Sequence, residues 1–203
     1  MARKNFQVCS MEELTQLIIN HLANKDIQVV LVGGMAVSLY TNNSYLTKDI
    51  DMIDISYQGP QSLRAAMSEI GFQKKGKNYI NSTTDIQVEF PSGQLSVGDE
   101  LVTETTLIKG KFGDIPVLQV KDVVKDRLSL HYHWDDPQGL VQALAVTLNH
   151  KLDPKELRGF ITKEANKEGF QEFEENVKEL SKRNIFEMAD IENYLVEKKL
   201  AEL

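Results

Sequence analysis

Cysteine and tryptophan are almost absent from this sequence, since its 203 residues include one of each, Cys9 and Trp134. A single cysteine excludes an internal disulfide framework and a zinc site built from cysteines, and it fits a reducing compartment. No apolar run approaches the roughly 18 residues that a membrane-spanning helix needs. The N-terminal stretch MARKNFQVCS lacks the apolar core of a signal peptide. We therefore expect a cytoplasmic protein without a membrane segment.

An excess of positive charge is also absent, because the formal net charge is −7. Proteins that run along a nucleic-acid backbone present a basic surface, so this balance argues against extended contact with nucleic acid. It leaves room for a local basic groove or a small triphosphate, since a bound metal supplies positive charge where it is needed. With 41% hydrophobic and 26% charged residues, the composition is otherwise ordinary for a globular protein.

The stretch from Val29 to Ile55 combines two glycines with two aspartates. It predicts a buried strand, the turn Gly33-Gly34, a short apolar helix, a polar loop and a second strand. Because side chains alternate along a strand, Asp49 and Asp51 project from one face. Two carboxylates this close repel each other unless they share a proton or bind a divalent cation. The glycines allow a ligand to approach the backbone, and the helix N-terminus that they open favours phosphate.

These residues resemble the nucleotidyltransferase signature of the DNA polymerase beta superfamily, in the order Gly33-Gly34, a loop, then Asp49-Ile50-Asp51. The flanking segments LVGGMAVSLY and TKDIDMID resemble its small bacterial and archaeal branch, which includes minimal nucleotidyltransferases and toxin-type relatives. The resemblance implies an α+β nucleotidyltransferase fold, a mixed β-sheet flanked by helices. It also implies Mg²⁺-dependent transfer of a nucleoside monophosphate from a nucleoside triphosphate to a hydroxyl acceptor, with release of pyrophosphate.

The family completes its metal site with a third carboxylate on a neighbouring strand. The segment DIQVEF places Asp85 and Glu89 on one strand face, so its phase permits either residue. We favour Glu89, because the Pro91 that follows marks the end of the matching strand. By the resemblance, Asp49, Asp51 and this third carboxylate hold two Mg²⁺ ions.

The same resemblance assigns the triphosphate to Gly33 and Gly34. Lys48 precedes the aspartate pair and is a candidate phosphate contact, with a solvated loop lysine as the equal alternative. Arg127, followed by Asp135-Asp136, matches a family element in which a basic helix residue borders the active site. Many relatives place lysine at the position of Arg127.

Three lysines, at positions 74, 75 and 77, surround Gly76. Such a cluster can grip a triphosphate or an RNA end, but a basic hairpin tip in water is the favoured interpretation. The segment HYHWDD invites a metal-site interpretation through His131 and Asp135. We favour a helix end that packs Trp134 into the core, with the aspartates capping the next helix at Pro137.

From Pro137 onward the apolar spacing predicts helices alone. We therefore expect a nucleotidyltransferase-like α/β domain over residues 1–134 and a C-terminal helical region over 135–203. The acceptor is open among a tRNA 3′ end, a protein hydroxyl as in toxin–antitoxin systems, and a small antibiotic-like molecule. A homo-oligomer or an antitoxin is a possible protein partner. Two alternatives also stay open: a non-catalytic binding or regulatory protein of this fold, and a plain α/β domain whose Gly-Gly and Asp-Ile-Asp motifs lie apart.

Overall fold

The chain has an α+β fold, as the sequence predicts, in a computed structural model that describes residues 5–45 and 47–201. The first four residues of the N-terminal stretch considered above lie outside the described residues. The strands are β1 (Val29–Val32), β2 (Asp49–Asp54), β3 (Gln73–Lys75), β4 (Asn78–Asn81), β5 (Thr84–Glu89), β6 (Ser96–Val97), β7 (Glu100–Leu101), β8 (Thr105–Ile108) and β9 (Ile115–Leu118). The helices are α1 (Met11–Ala23), α2 (Gly33–Tyr40), α3 (Pro60–Glu69), α4 (Val120–Trp134), α5 (Pro137–Asn149), α6 (Arg158–Glu164), α7 (Lys167–Lys182) and α8 (Met188–Ala201).

Local sequence signals set the ends of several of these elements. Helix α1 begins with a capping box, in which the Ser10 hydroxyl accepts from the Glu13 amide and the Glu13 carboxylate accepts from the Ser10 amide. Pro60 is the first residue of α3, and Gly71, with φ of +88°, follows the end of that helix. Strands β3 and β4 form a hairpin around Gly76, which confirms the predicted hairpin tip.

Seven strands form a mixed sheet in the order β3-β4-β5-β2-β1-β9-β8. The pairs β2–β5 and β1–β9 are parallel, while the remaining neighbours are antiparallel. Strands β6 and β7 make a separate two-stranded sheet. Of the central strand β2, Ile50 and Met52 are completely buried on one face, and Asp49 and Asp51 lie on the other.

The chain divides into two compact units. The first comprises Met1–Ala36, Leu46–Ser96 and Leu101–Leu118, and it contains the seven-stranded sheet with α1 and α3. The second comprises Val37–Tyr45, Val97–Glu100 and Gln119–Leu203, and it contains α4 to α8. Helix α4 belongs to this second unit, where it packs closely on α5 at Gly139. Because compactness is not independent folding, the predicted domain division after residue 134 stays a prediction.

Each unit has its own apolar core. Buried residues of the first include Leu31, Phe72 and Val117. Those of the second include Leu144 and Phe173. No helix among residues 5–45 and 47–201 combines the length and the apolar character needed to cross a membrane.

The prediction that Trp134 packs into the core is wrong. Its side chain is 78% exposed, because α4 ends at this residue and Asp135 turns the chain away in a left-handed conformation, with φ of +50°. Of the two aspartates predicted to cap α5, Asp136 does so by accepting a hydrogen bond from the Gln138 amide at 2.9 Å, whereas Asp135 is the C-cap residue of α4.

Candidate functional site

Three carboxylate residues lie side by side on one face of the sheet. In the parallel pairing of β2 with β5, Asp49 is opposite Gln87 and Asp51 is opposite Glu89. Side chains of directly paired residues share a face, and neighbouring strands are about 4.8 Å apart. Glu89 is therefore the cross-strand neighbour of Asp51, on the same face as Asp49. We call Asp49, Asp51 and Glu89 the carboxylate row.

Asp85, the alternative third carboxylate, lies two residues before the partner of Asp49. Its side chain is exposed and lines a surface depression of about 510 Å³ together with Asn5, Gln7 and Thr83, and no residue of the carboxylate row lines that depression. The register thus puts Glu89, and not Asp85, beside Asp51.

Gly33 touches the carboxylate row directly. It begins α2 with φ of +69°, a left-handed conformation that favours glycine. A Cβ atom at Gly33 would lie 2.5 Å from Oδ2 of Asp51, so any other residue would force this carboxylate to shift. Strand β1 explains the contact, because its last residue, Val32, is paired with Asp51. The Gly33-Gly34 turn and the Asp49-Ile50-Asp51 motif are therefore adjacent, which removes the alternative in which they lie apart.

A lysine from the β3–β4 hairpin also reaches the row. Lys77 Nζ lies 2.9 Å from Oε2 of Glu89. The hydrogen bond to Glu89, with the negative charges of Glu89, Asp51 and Asp49, raises the pKa of Lys77 above its ordinary value. Next to this pair, the amide group of Asn78 donates a hydrogen bond to the side-chain oxygen of Gln87. The sequence analysis grouped Lys77 with two other lysines and did not single it out. The signal that could have done so is the pairing of β4 with β5, which puts Asn78 opposite Glu89 and Lys77 next to it.

The row has the donor chemistry of a magnesium site, but its side chains do not converge as ligands. Within residues 5–45 and 47–201, no three His, Cys, Asp or Glu side chains are grouped so as to hold a metal ion. The carboxylate of Glu89 is directed to Lys77 instead. The carboxylate oxygens of the row are nevertheless the type of ligand that Mg²⁺ prefers, and Gly33 leaves room for that of Asp51.

The remaining candidates have partners or positions of their own. Lys48 is exposed next to Asp49, and its carbonyl oxygen accepts a hydrogen bond from the Gln87 amide at 3.4 Å. Arg127 is a largely buried residue of the second unit, where its guanidinium contacts Asp126 and donates to Oε1 of Gln142 at 3.3 Å.

The histidines of α4 also have partners within the second unit. His131 Nδ1 lies 3.3 Å from the carbonyl oxygen of Asp136, and His133 Nε2 lies 2.7 Å from Oε2 of Glu164. Neither of these two contacts involves Asp135.

No protein-family model matches this chain, and no curated protein sequence matches it. The structure is similar to the solution structure of the antibiotic-resistance factor ANT(2'')-Ia, which reveals substrate-regulated conformation dynamics of that protein. The TM-score is 0.46 and the sequence identity is 10%, over 82% of this chain and 90% of that chain. A likeness of this degree carries neither residues nor chemistry from one chain to the other.

Proposed function

We propose that this chain is a metal-dependent nucleotidyltransferase that moves a nucleoside monophosphate from a nucleoside triphosphate to a hydroxyl acceptor. The observation that carries the proposal is the placement of Asp51 between Gly33, which follows strand β1, and Glu89 on strand β5. Such a row of carboxylates next to a helix N-terminus brings a cation-binding group and a phosphate-binding group together. Transfer of a nucleotidyl group needs both.

Asp49, Asp51 and Glu89 would hold Mg²⁺ through carboxylate oxygens, which are the ligands that this ion prefers. When bound, two such ions lower the pKa of an acceptor hydroxyl and neutralise a leaving pyrophosphate. The protein's own part is to orient these ligands, since strand pairing with β5 sets the spacing of Asp51 and Glu89.

The backbone amides at Gly33-Gly34 would bind the β- and γ-phosphates, because the N-terminus of α2 carries partial positive charge. Gly33 permits this turn by its left-handed conformation. Lys48 is proposed as a further phosphate contact from its exposed position beside Asp49. Arg127 is kept as a proposed nucleotide contact on the sequence resemblance alone.

One observation favours a second candidate, a non-catalytic binding or regulatory protein of the same fold, such as a toxin–antitoxin component. Lys77 already neutralises Glu89, so part of the row is satisfied without a metal. Against this candidate, an inactive site has no physical need for Asp49 and Asp51 on one strand face, where their charges repel.

The acceptor is proposed only as a class. A net charge of −7 favours a protein hydroxyl or a small molecule over a long nucleic acid, although a tRNA 3′ end remains among the candidates. An antitoxin or a second copy of this chain is a proposed protein partner, and the cytoplasm is the proposed compartment.

The test is thermal unfolding of the full chain with each nucleoside triphosphate, with and without Mg²⁺. A ligand that binds only the native state raises the midpoint temperature of unfolding by mass action. At a concentration of about a hundred times its dissociation constant, it adds about 2.7 kcal/mol to the free energy of unfolding. We expect one triphosphate to raise the midpoint only with Mg²⁺, and Asp51→Asn and Glu89→Gln to lose this increase.

Two isosteric variants are the controls. Asp54→Asn changes strand β2, the strand of Asp51, at its last residue, where Asp54 accepts hydrogen bonds from Ser56. Asp85→Asn changes the same strand as Glu89 away from the row. Both should keep the ligand-dependent increase. No increase with any triphosphate would reject the enzymatic proposal in favour of the second candidate.

A further inference from the structure

The turn of the β3–β4 hairpin places a single cation against the carboxylate row. In the antiparallel pairing of β4 with β5, Asn78 is opposite Glu89, so the residue before Asn78 stands next to that carboxylate. This residue is Lys77, and its Nζ is 2.9 Å from Oε2 of Glu89. Glu89 in turn is the cross-strand neighbour of Asp51. The ammonium group of Lys77 thus lies at the end of the carboxylate row that faces the hairpin.

The two neighbouring lysines of the hairpin are placed differently. Lys74 Nζ lies over the ring of Tyr79, 5.6 Å from its centroid. Lys75 is exposed on β3, opposite Asn78. The three lysines are therefore not an undifferentiated basic patch, because Lys77 is the one whose ammonium reaches Glu89.

Building on the proposed function, we propose that Lys77 is an internal counter-ion that competes with the divalent cation for Glu89. The competition follows from charge and space, because an ammonium group and a divalent cation at the same carboxylate repel each other, and each weakens the binding of the other. The ion pair between Lys77 and Glu89 also explains why the carboxylate row has suitable oxygen ligands but its side chains are not grouped around one metal position. The metal ion then binds more tightly when Glu89 releases Lys77, so Lys77 acts through Glu89 as a positioning residue.

The exchange is energetically modest. The Lys77 side chain is 76% exposed and that of Glu89 22%, so the ion pair is screened by water. Exposed ion pairs of this kind shift an equilibrium by a factor of about two to five. Lys77 therefore lowers the affinity for the metal without preventing metal binding, and its release needs no unfolding of the hairpin.

The test is calorimetric titration of the full-length protein with Mn²⁺ alone at neutral pH, since Mn²⁺ uses the same oxygen ligands as Mg²⁺. We expect Lys77→Met to bind Mn²⁺ about two- to fivefold more tightly than the wild type. Lys75→Met removes the same charge from the same hairpin without touching the row, and it should change the affinity less. Lys77→Arg keeps a cation that pairs well with carboxylate, and it should bind no more tightly than the wild type.

The outcomes separate this inference from the proposed function. If the wild type binds Mn²⁺ and Lys77→Met binds it no better than Lys75→Met, the competition is wrong while the metal site stands. The same holds if Lys77→Arg binds as tightly as Lys77→Met. If neither the wild type nor Lys77→Met binds Mn²⁺, the competition and the metal-dependent function are both rejected. Circular dichroism of each variant checks that it is folded.

Discussion

At the scale of single residues, Gly33 is the glycine packed against Asp51 in the candidate site. Two independent features require glycine there: φ of +69°, and the distance of only 2.5 Å that would separate a Cβ atom from Oδ2 of Asp51. A left-handed conformation costs an L-residue about 1–2 kcal/mol, and crowding a packed position adds about 1–3 kcal/mol. The glycine thus serves the packing of the row as well as the turn.

Replacement of Gly33 by alanine is therefore expected to lower the free energy of unfolding by about 3 kcal/mol. Gly76→Ala is the matched control, because Gly76 has a similar φ of +63° and no atom within 4 Å of its Cβ position. It should lose only the conformational term, about 1–2 kcal/mol. Urea unfolding measures both variants. Equal losses would mean that Asp51 moves away from the new methyl group at no cost.

At the scale of elements, the packing of α4 on α5 depends on another glycine. A Cβ at Gly139 would lie 2.5 Å from the carbonyl oxygen of Arg127 and 3.0 Å from the amide nitrogen of His131. Both are backbone atoms of α4, which cannot rotate away as the end of a side chain can. The two helices therefore approach each other at a point where no side chain fits.

Gly139→Ala should separate α4 from α5 and lower the free energy of unfolding by about 1–3 kcal/mol, despite the better helix propensity of alanine. Gly159→Ala is the contrasting substitution in α6, where nothing lies within 4 Å of the Cβ position. It should raise the free energy of unfolding by up to about 1 kcal/mol. Denaturant unfolding measures the free energy of unfolding of both variants. A loss of stability in Gly159→Ala would contradict this explanation.

At the scale of the whole molecule, a tyrosine makes stability depend on pH in the alkaline range. Burial, with the negative charge of Glu172 as the smaller cause, raises the pKa of Tyr132 from 10.0 to about 12. The folded chain therefore keeps this proton where the unfolded chain loses it. The stabilisation from neutral Tyr132 is fully present below pH 10 and is lost as the pH rises through about 12.

Tyr132→Phe removes this titration. We expect its free energy of unfolding to fall less steeply than that of the wild type between pH 10 and 12, since phenylalanine has no proton to lose. Urea unfolding at a series of pH values measures the difference, and tyrosine absorbance follows ionisation in the folded state. Parallel curves for the two proteins over this range would show that Tyr132 titrates alike in both states.

Features that depend on neighbours along the chain could be predicted from the sequence. The predicted hairpin tip at Gly76 is confirmed, and the Ser10–Glu13 capping box and Pro60 at the start of α3 are local signals of the same kind. The alternation that puts Asp49 and Asp51 on one face is equally local, because a strand repeats every two residues. The α+β class follows from the same patterns.

Features that depend on residues far apart in the chain needed the tertiary structure. Strand phase is the same for Asp85 and Glu89, so the sequence could favour Glu89 only from the nearby Pro91, and the register of β5 on β2 is what puts Glu89 beside Asp51. The pairing of Lys77 with Glu89 likewise needs the hairpin to return along β5. Trp134 was wrongly assigned to the core, because burial depends on what packs against a residue and not on its own hydrophobicity.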